Sequence, residues 1–106
     1  MARKPPRLEV LTTPNAAVDL AQIWAWNAQR YDLDHADKYV QFLQNQTDRL
    51  AIEYQNGRPV PGIPEYQYVV LRKGRGHGHI AVYWVRDSVV EILHYFHTAQ
   101  DWQRKL

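Results

Sequence analysis

Apolar residues recur at two different spacings along this chain, and the change of spacing divides it into two parts. Residues 8–11 alternate briefly between apolar and polar, which predicts a short first strand. From residue 16 to residue 54 apolar positions recur every three or four residues, as they do in amphipathic helices. Beyond residue 65 the apolar runs are rich in β-branched and aromatic residues, which predicts strands.

Two helices are predicted in the first part. Thr13-Pro14 predicts the start of the first helix, because threonine caps helices and proline suits the first helical position. Asp34, with Asp37 three residues later, predicts the cap of the second helix. Gly57 in a left-handed conformation, followed by Pro59, predicts its end. The connection between the helices is short, so we expect an antiparallel helical hairpin.

The second part predicts a loop and then three strands. Residues 60–64 contain two prolines and predict a rigid loop, because proline is unfavourable in helices and in central strands. Strands are predicted at residues 66–72, 80–85 and 89–96, with a tight turn near 86–88. The order predicts an α+β fold of the type β-α-α-β-β-β. In this fold the helical hairpin packs on one face of a small, mostly antiparallel sheet and leaves the opposite face free.

Length, composition and charge narrow the class of protein. A chain of 106 residues is long enough for one domain and too short for two, so residues 1–106 are expected to form a single domain. The absence of cysteine excludes a disulfide framework and suits the cytoplasm. No apolar run predicts a membrane span or a secretory signal. The net charge of +2 is too small to predict direct binding of duplex DNA.

The loop at residues 72–78 alternates glycine with basic residues and histidine. Its spacing fits neither the fingerprint of dinucleotide-binding proteins nor a P-loop. Two interpretations remain open: a flexible, soluble hairpin tip, or a mobile basic finger that contacts a partner.

The histidines do not predict a metal site. His77 and His79 form an H-x-H pair, but a zinc site needs a third ligand. His94 and His97 would point to opposite faces of a regular strand and could share a metal only across a bulge. We therefore expect neither a metal nor a cofactor.

The chain has few side chains suited to nucleophilic catalysis, because cysteine is absent and Ser88 is the only serine. Cleavage of RNA needs no protein nucleophile, but it does need a base, an acid and cations near the phosphate. Arg72, Tyr95 and His97 supply such groups if one sheet face gathers them. The alternative is that they are packing and edge residues.

From about Leu8 to Leu106 the chain resembles the ParE/RelE toxin superfamily of bacterial toxin–antitoxin systems, and its ParE branch in particular. The resemblance begins in the first predicted helix and extends through the last predicted strand, with Asp101 four residues after it. It is carried by five segments: AVDLAQIW at 17–24, ADKY at 36–39, GRPVPG at 57–62, HIAVY at 79–83 and EILHYFH at 91–97.

The resemblance implies a plasmid-stabilisation type toxin of a type II system, a binding module that poisons DNA gyrase. It also implies a cytoplasmic hetero-oligomer with a small antitoxin, whose C-terminal tail would lie against the sheet and the groove beside the hairpin. The alternatives are a RelE-like, metal-independent endoribonuclease that cuts messenger RNA on the ribosome, and an inactive relative. Six residues are expected to contact the target or the antitoxin: Arg72, Lys73, Arg75, Arg86, His97 and Trp102.

Overall fold

A computed structural model describes residues 5–106, so residues 1–4 of the expected domain lie outside the described part. Two helices pack against one face of a five-stranded mixed sheet, and the predicted α+β fold is confirmed. In chain order the elements are β1 (Glu9–Thr12), α1 (Pro14–Arg30), α2 (Leu33–Asp48), α3 (Leu50–Glu53), β2 (Arg58–Val60), β3 (Ile63–Leu71), β4 (His79–Arg86) and β5 (Val89–His97).

The helix starts are set by side-chain caps. At α1 the hydroxyl of Thr13 accepts a backbone N–H of the first turn at 3.3 Å and Pro14 follows it, as predicted. At α2 the cap is Asp32, whose carboxylate accepts the N–H of His35 at 2.7 Å. The prediction of Asp34 as the cap was wrong, because the backbone is still extended at Asp32 and Asp34 already lies in the first helical turn.

The second arm of the helical hairpin ends at Gly57, where a side chain would not fit. After α3, one 3-10 turn leads to Gly57, whose φ of −68° is ordinary and not left-handed as predicted. A Cβ at Gly57 would overlap the hydroxyl of Tyr83. That hydroxyl donates to the carbonyl of Tyr54 at 2.8 Å, and Tyr83 has no exposed surface. Gly57 therefore allows Tyr83 to reach its partner.

The rigid loop expected at residues 60–64 is a β-hairpin. β2 and β3 are joined by the two residues Pro61-Gly62, with Gly62 at φ +83°, as in a type II turn. The prediction was wrong because turns tolerate proline, as at Pro61, and because Pro64 lies in the part of β3 that precedes its first pair with β4 at Gln67.

The sheet has the order β1-β5-β4-β3-β2. β1 runs parallel to the first part of β5, from Glu9 opposite Val89 to Thr12 opposite Ile92. The other pairs are antiparallel, and β5 has one extra residue relative to β4 next to Val82. Beyond Ile92 no described strand lies on the outer side of β5.

The two faces of the sheet are covered by different parts of the chain. On the helix side, Leu43 and Ile92 belong to the main core and are completely buried. On the other side, Trp102 and Leu106 of the C-terminal segment pack on a smaller cluster that contains Val82. The expectation that this face is free was therefore wrong: the chain's own C-terminal segment covers part of it.

Candidate functional site

A groove of about 910 Å³ opens beside the second part of β5, and we call it the edge groove. It lies between α1, the start of α2, the loop from β3 to β4, and the last residues of β5. All the histidines of the chain and three aromatic residues of the hairpin line it: His35, His77, His79, His94 and His97, with Trp26, Tyr31 and Tyr39.

Neighbouring rings form a row from the hairpin to the sheet. The ring centroids of Tyr31 and His35 are 4.2 Å apart, and those of Tyr39 and His79 are 5.4 Å apart. Trp26, at the outer end of the row, is 58% exposed. Rigid aromatic side chains offer a large contact area at a small entropic cost, which suits a protein partner.

His79 ties the hairpin to the sheet at the inner end of this row. Its Nδ1 lies 2.6 Å from the hydroxyl of Tyr39. Burial lowers the pKa of His79 to about 4, with a further contribution from the neighbouring His97, and burial raises the pKa of Tyr39. Both groups are therefore neutral at pH 7 and share one hydrogen bond.

The tautomer of the neutral His97 ring is set by a hydrogen bond within its own turn. The backbone N–H of Ala99 donates to Nδ1 of His97 at 3.1 Å, so the neutral ring carries its proton on Nε2. The backbone N–H of His97 donates to the side-chain oxygen of Gln100 at 2.8 Å. Such a ring offers no lone pair at Nε2 to a metal. Within residues 5–106, no group of three or more histidine and carboxylate side chains is placed to hold a metal ion.

Asp19 of α1 contacts the outer edge of β5. One of its carboxylate oxygens accepts the backbone N–H of Tyr95 at 3.0 Å and lies 3.0 Å from Nδ1 of His94. His94 stacks on Phe96 and lies on the face opposite His97, as predicted. The edge groove reaches both faces because it wraps around this edge of the sheet.

The basic residues predicted to contact a partner lie at two separate places. Arg72, Lys73 and Arg75 are exposed in the loop before β4, and of these three Lys73 lines the edge groove. Arg86 lies at the other end of β4, roughly 23 Å away along the strand. Its guanidinium stands 4.5 Å from the centre of the Trp84 ring. The structure does not bring Arg86 together with the loop.

The three residues considered for RNA cleavage are not gathered on one surface. Tyr95 is 3% exposed, and its hydroxyl lies 2.9 Å from that of Thr47 in the core. Arg72 is exposed in the loop, and His97 is half-buried at the groove. Trp102, expected at a contact surface, is 7% exposed and packs on the sheet.

Sequence reasoning missed Asp19, Tyr39 and Gln100. Tyr39 and Asp19 act through contacts with residues 40 or more positions away, which no local pattern reveals. Asp19 did leave one signal, because it is the one acidic residue in α1 and lies next to the buried Leu20.

Residues 10–102 match the family described as "ParE toxin of type II toxin-antitoxin system, parDE". No curated protein matches the chain. The fold is similar to the solved structure "Chromosomal ParDE TA system from P. aeruginosa", with a TM-score of 0.73 and 22% identity, covering 85% of this chain and 95% of that one. In residues 5–106, no helix has both the length and the apolarity needed to cross a membrane.

Proposed function

Because the chain belongs to the ParE toxin family of type II toxin–antitoxin systems, we propose that it poisons DNA gyrase by direct contact and that a cognate antitoxin neutralises it. The observation that carries this proposal is the edge groove, an open aromatic recess bordered by a basic loop. The groove is the docking site of the antitoxin, and the loop is the part of the toxin that contacts its target.

The apolar surface around the groove supports a partner protein. Trp26, Tyr31 and Leu33 are each more than half exposed and lie together at the tip of the helical hairpin. Trp26 and Tyr31 contact each other edge to face. A contiguous exposed patch of large apolar residues marks an interaction site in soluble proteins. The tail of an antitoxin covers such a patch and removes it from water.

The loop before β4 supports the contact with the target. It carries Arg72, Lys73 and Arg75. Gly74 and Gly76 adopt φ values of +90° and +95°, which glycine reaches without strain. Exposed cations on such a loop attract an acidic surface. Lys73 also lines the edge groove, so an antitoxin in the groove covers part of the surface that contacts the target.

The geometry favours this function over cleavage of messenger RNA by the residues considered above. The Tyr95 hydroxyl is enclosed between α2 and the sheet, so a substrate would reach it only if the core opened. Arg86 and His97 remain proposed contacts of the target or the antitoxin, each at its own end of the sheet.

The test is inhibition of purified gyrase in a supercoiling assay. We expect the chain to block supercoiling, and the triple variant Arg72→Ala, Lys73→Ala, Arg75→Ala to need at least ten times more protein. The matched control removes three exposed cations from other surfaces: Arg30→Ala, Lys38→Ala and Arg58→Ala.

A parallel assay measures cleavage of a translated message. Cleaved transcripts together with unaffected supercoiling would overturn the proposal in favour of a nuclease. If neither assay responds, the chain is an inactive relative.

A further inference from the structure

We propose that His97 is a proton-operated latch: the neutral ring holds the basic loop, residues 72–78, against the end of β5, and the protonated ring releases it. The latch sets the mobility of the loop and depends neither on the target nor on the antitoxin. It follows from the hydrogen bonds of the turn after β5, from the bonds that tie this turn to the loop, and from the charges around His97.

The turn after β5 is closed by the ring of His97. The backbone N–H of Ala99 donates to Nδ1 of this ring at 3.1 Å. The backbone N–H of Gln100 donates to the carbonyl of His97 at 3.0 Å, and the side-chain oxygen of Gln100 accepts the N–H of His97. The first of these bonds needs a lone pair on Nδ1, so it exists only while the ring is neutral.

The same turn holds the base of the loop. The backbone N–H of Thr98 donates to the carbonyl of Gly78 at 3.0 Å, and the hydroxyl of Thr98 accepts the N–H of Gly78 at 3.1 Å. Gly78 also lies so close to the start of the loop that a Cβ on it would overlap the carbonyl of Leu71. Gly78 is buried, while residues 72–77 are exposed. The loop is therefore anchored at Gly78, and Thr98 supplies the anchor.

Protonation of His97 removes the bond that closes the turn. Nε2 already carries the proton of the neutral ring, so a second proton enters at Nδ1. Two donors then face each other, because the nitrogen of Ala99 lies 3.1 Å from Nδ1. The ring rotates out of the turn, and the N–H of the exposed Ala99 bonds to water. Thr98 lies between these two residues, so its hold on Gly78 loosens with the turn.

The surroundings disfavour a charged ring inside the closed turn. The ring centroid of His97 lies 5.4 Å from that of His77 and 5.3 Å from that of His79. The titratable groups that share the edge groove with it on the loop, β4, α2 and the C-terminal turn are Lys73, His77, His79, His35, Tyr39 and Lys105. None of these groups offers a negative charge at pH 8 or below.

A carboxylate does line the groove, but it is engaged elsewhere. In the described part of the chain this carboxylate is Asp19, which accepts the N–H of Tyr95 and lies 3.0 Å from Nδ1 of His94. Burial, with a smaller contribution from His97, lowers the pKa of His79 to about 4, so His79 stays neutral when His97 gains its charge. The contact of the sheet with the hairpin is therefore kept while the loop is released.

The direction of the pH dependence follows from these contacts. The open turn takes up the proton more readily than the closed turn, so a falling pH shifts the population towards the open turn. Histidine is the side chain whose charge ordinarily changes between pH 8 and pH 5. The loop is therefore fixed at pH 8 and mobile at pH 5.

Amide hydrogen exchange of the full chain alone, read by NMR at pH 8 and pH 5, tests the latch. The rates are compared as protection factors, which removes the intrinsic effect of pH on exchange. We expect the protection of Gly78 and Thr98 to fall at least tenfold at pH 5, while that of Val82 in the centre of the sheet stays constant. Nitrogen shifts of the His97 ring should show an unprotonated Nδ1 at pH 8.

The variant His97→Asn separates the hydrogen bond from the charge. The side-chain oxygen of asparagine stands where Nδ1 stood and accepts the same N–H, as in an Asx-turn, but it does not titrate. Protection of Gly78 should then be equal at both pH values. His35→Asn, which changes an exposed histidine of the same groove, is the matched control and should keep the wild-type dependence.

The variant Thr98→Val keeps the test decisive even if His97→Asn folds poorly. Without the hydroxyl, Gly78 should exchange fast at both pH values. Equal protection of Gly78 in the wild type at pH 8 and pH 5, an undiminished fall in His97→Asn, or a neutral His97 ring protonated on Nδ1 would each overturn the inference. Because no gyrase is present, a chain that shows the latch but leaves supercoiling unaffected retains the latch and loses the proposed target.

Discussion

The two faces of the sheet are covered by segments of very different length. Two long helices cover the first and bury Leu43 and Ile92 completely. The second is covered mainly by Trp102 and Leu106. Trp102 begins a short 3-10 turn, Trp102–Lys105, and Leu106 follows that turn. The backbone N–H of Arg104 in the turn donates to the carbonyl of Asp101 just before it. The comparison teaches that global stability resides on the helix face, while the opposite face can open locally.

The strongest way to test this division is to remove a side chain from the helix face. Leu43→Ala should lower the free energy of unfolding by about 3–4 kcal/mol, because it leaves a cavity in a fully buried site. Urea denaturation measures the change. Val18→Ala, at an exposed position of α1, is the control and should stay near wild type. A loss below about 1 kcal/mol for Leu43→Ala would contradict the assignment of stability to this face.

The pH dependence of the free energy of unfolding tests the contact between His79 and Tyr39, which lies on the helix-covered face at the inner end of the edge groove. The pKa of His79 is about 4 in the folded chain, compared with 6.5 for an ordinary histidine. The unfolded chain therefore takes up a proton first, so the stabilisation is complete above pH 6.5 and is lost as the pH falls towards 4. The loss amounts to up to about 3 kcal/mol.

The variant His79→Gln should flatten the stability curve between pH 6.5 and pH 4, measured by urea denaturation at each pH. The exposed His35→Gln is the matched control and should keep the wild-type curve. If the His79→Gln curve falls as steeply as that of the wild type, the buried histidine is not the cause.

A smaller effect is expected where α3 meets the sheet. Gly57→Ala places a methyl group against the hydroxyl of Tyr83 and should cost about 2 kcal/mol of stability. Adding Tyr83→Phe removes the overlapping oxygen, so the double variant should be more stable than the sum of the two single changes. A double-mutant cycle in urea measures the coupling, and strict additivity would contradict the contact.

The opposite face should give the smallest effect on global unfolding. Trp102→Ala should lower the free energy of unfolding by only about 1 kcal/mol, because the C-terminal segment opens separately from the core. Amide exchange of β3 and β4 should change little, while binding of an apolar dye should increase. Cooperative loss of 3 kcal/mol or more would show that both faces unfold as one unit.

Most of the fold could be predicted because its signals are local. Helical spacing marked the hairpin, and Thr13-Pro14 marked the start of α1. The tight turn before β5 also followed from its sequence, and its two residues, Asp87 and Ser88, have φ values of 51° and 63°. The error at residues 60–64 had a physical cause: proline is unfavourable where a strand is paired on both sides, and the sequence alone does not say where the pairing of β3 with β4 begins.

The candidate site could be predicted only in part. The basic loop before β4 was visible as a run of cations and glycines. The resemblance also implied a groove beside the hairpin, but the contacts that shape it could not be predicted, because they join Asp19 to Tyr95 across 76 residues and Tyr39 to His79 across 40. Trp102 was expected at a contact surface, and the sequence does not reveal that it packs on the sheet, because its contacts with Val82 and Phe96 are not local.

The parallel pairing of β1 with β5 has a consequence for biosynthesis. Glu9 meets Val89, so β1 leaves the ribosome 80 residues ahead of the strand with which it pairs. Until β5 is translated, the hairpin lacks the strand on which α1 packs and the sheet lacks the strand beside β1. The tertiary structure of this part of the polypeptide therefore forms only after β5 has been translated.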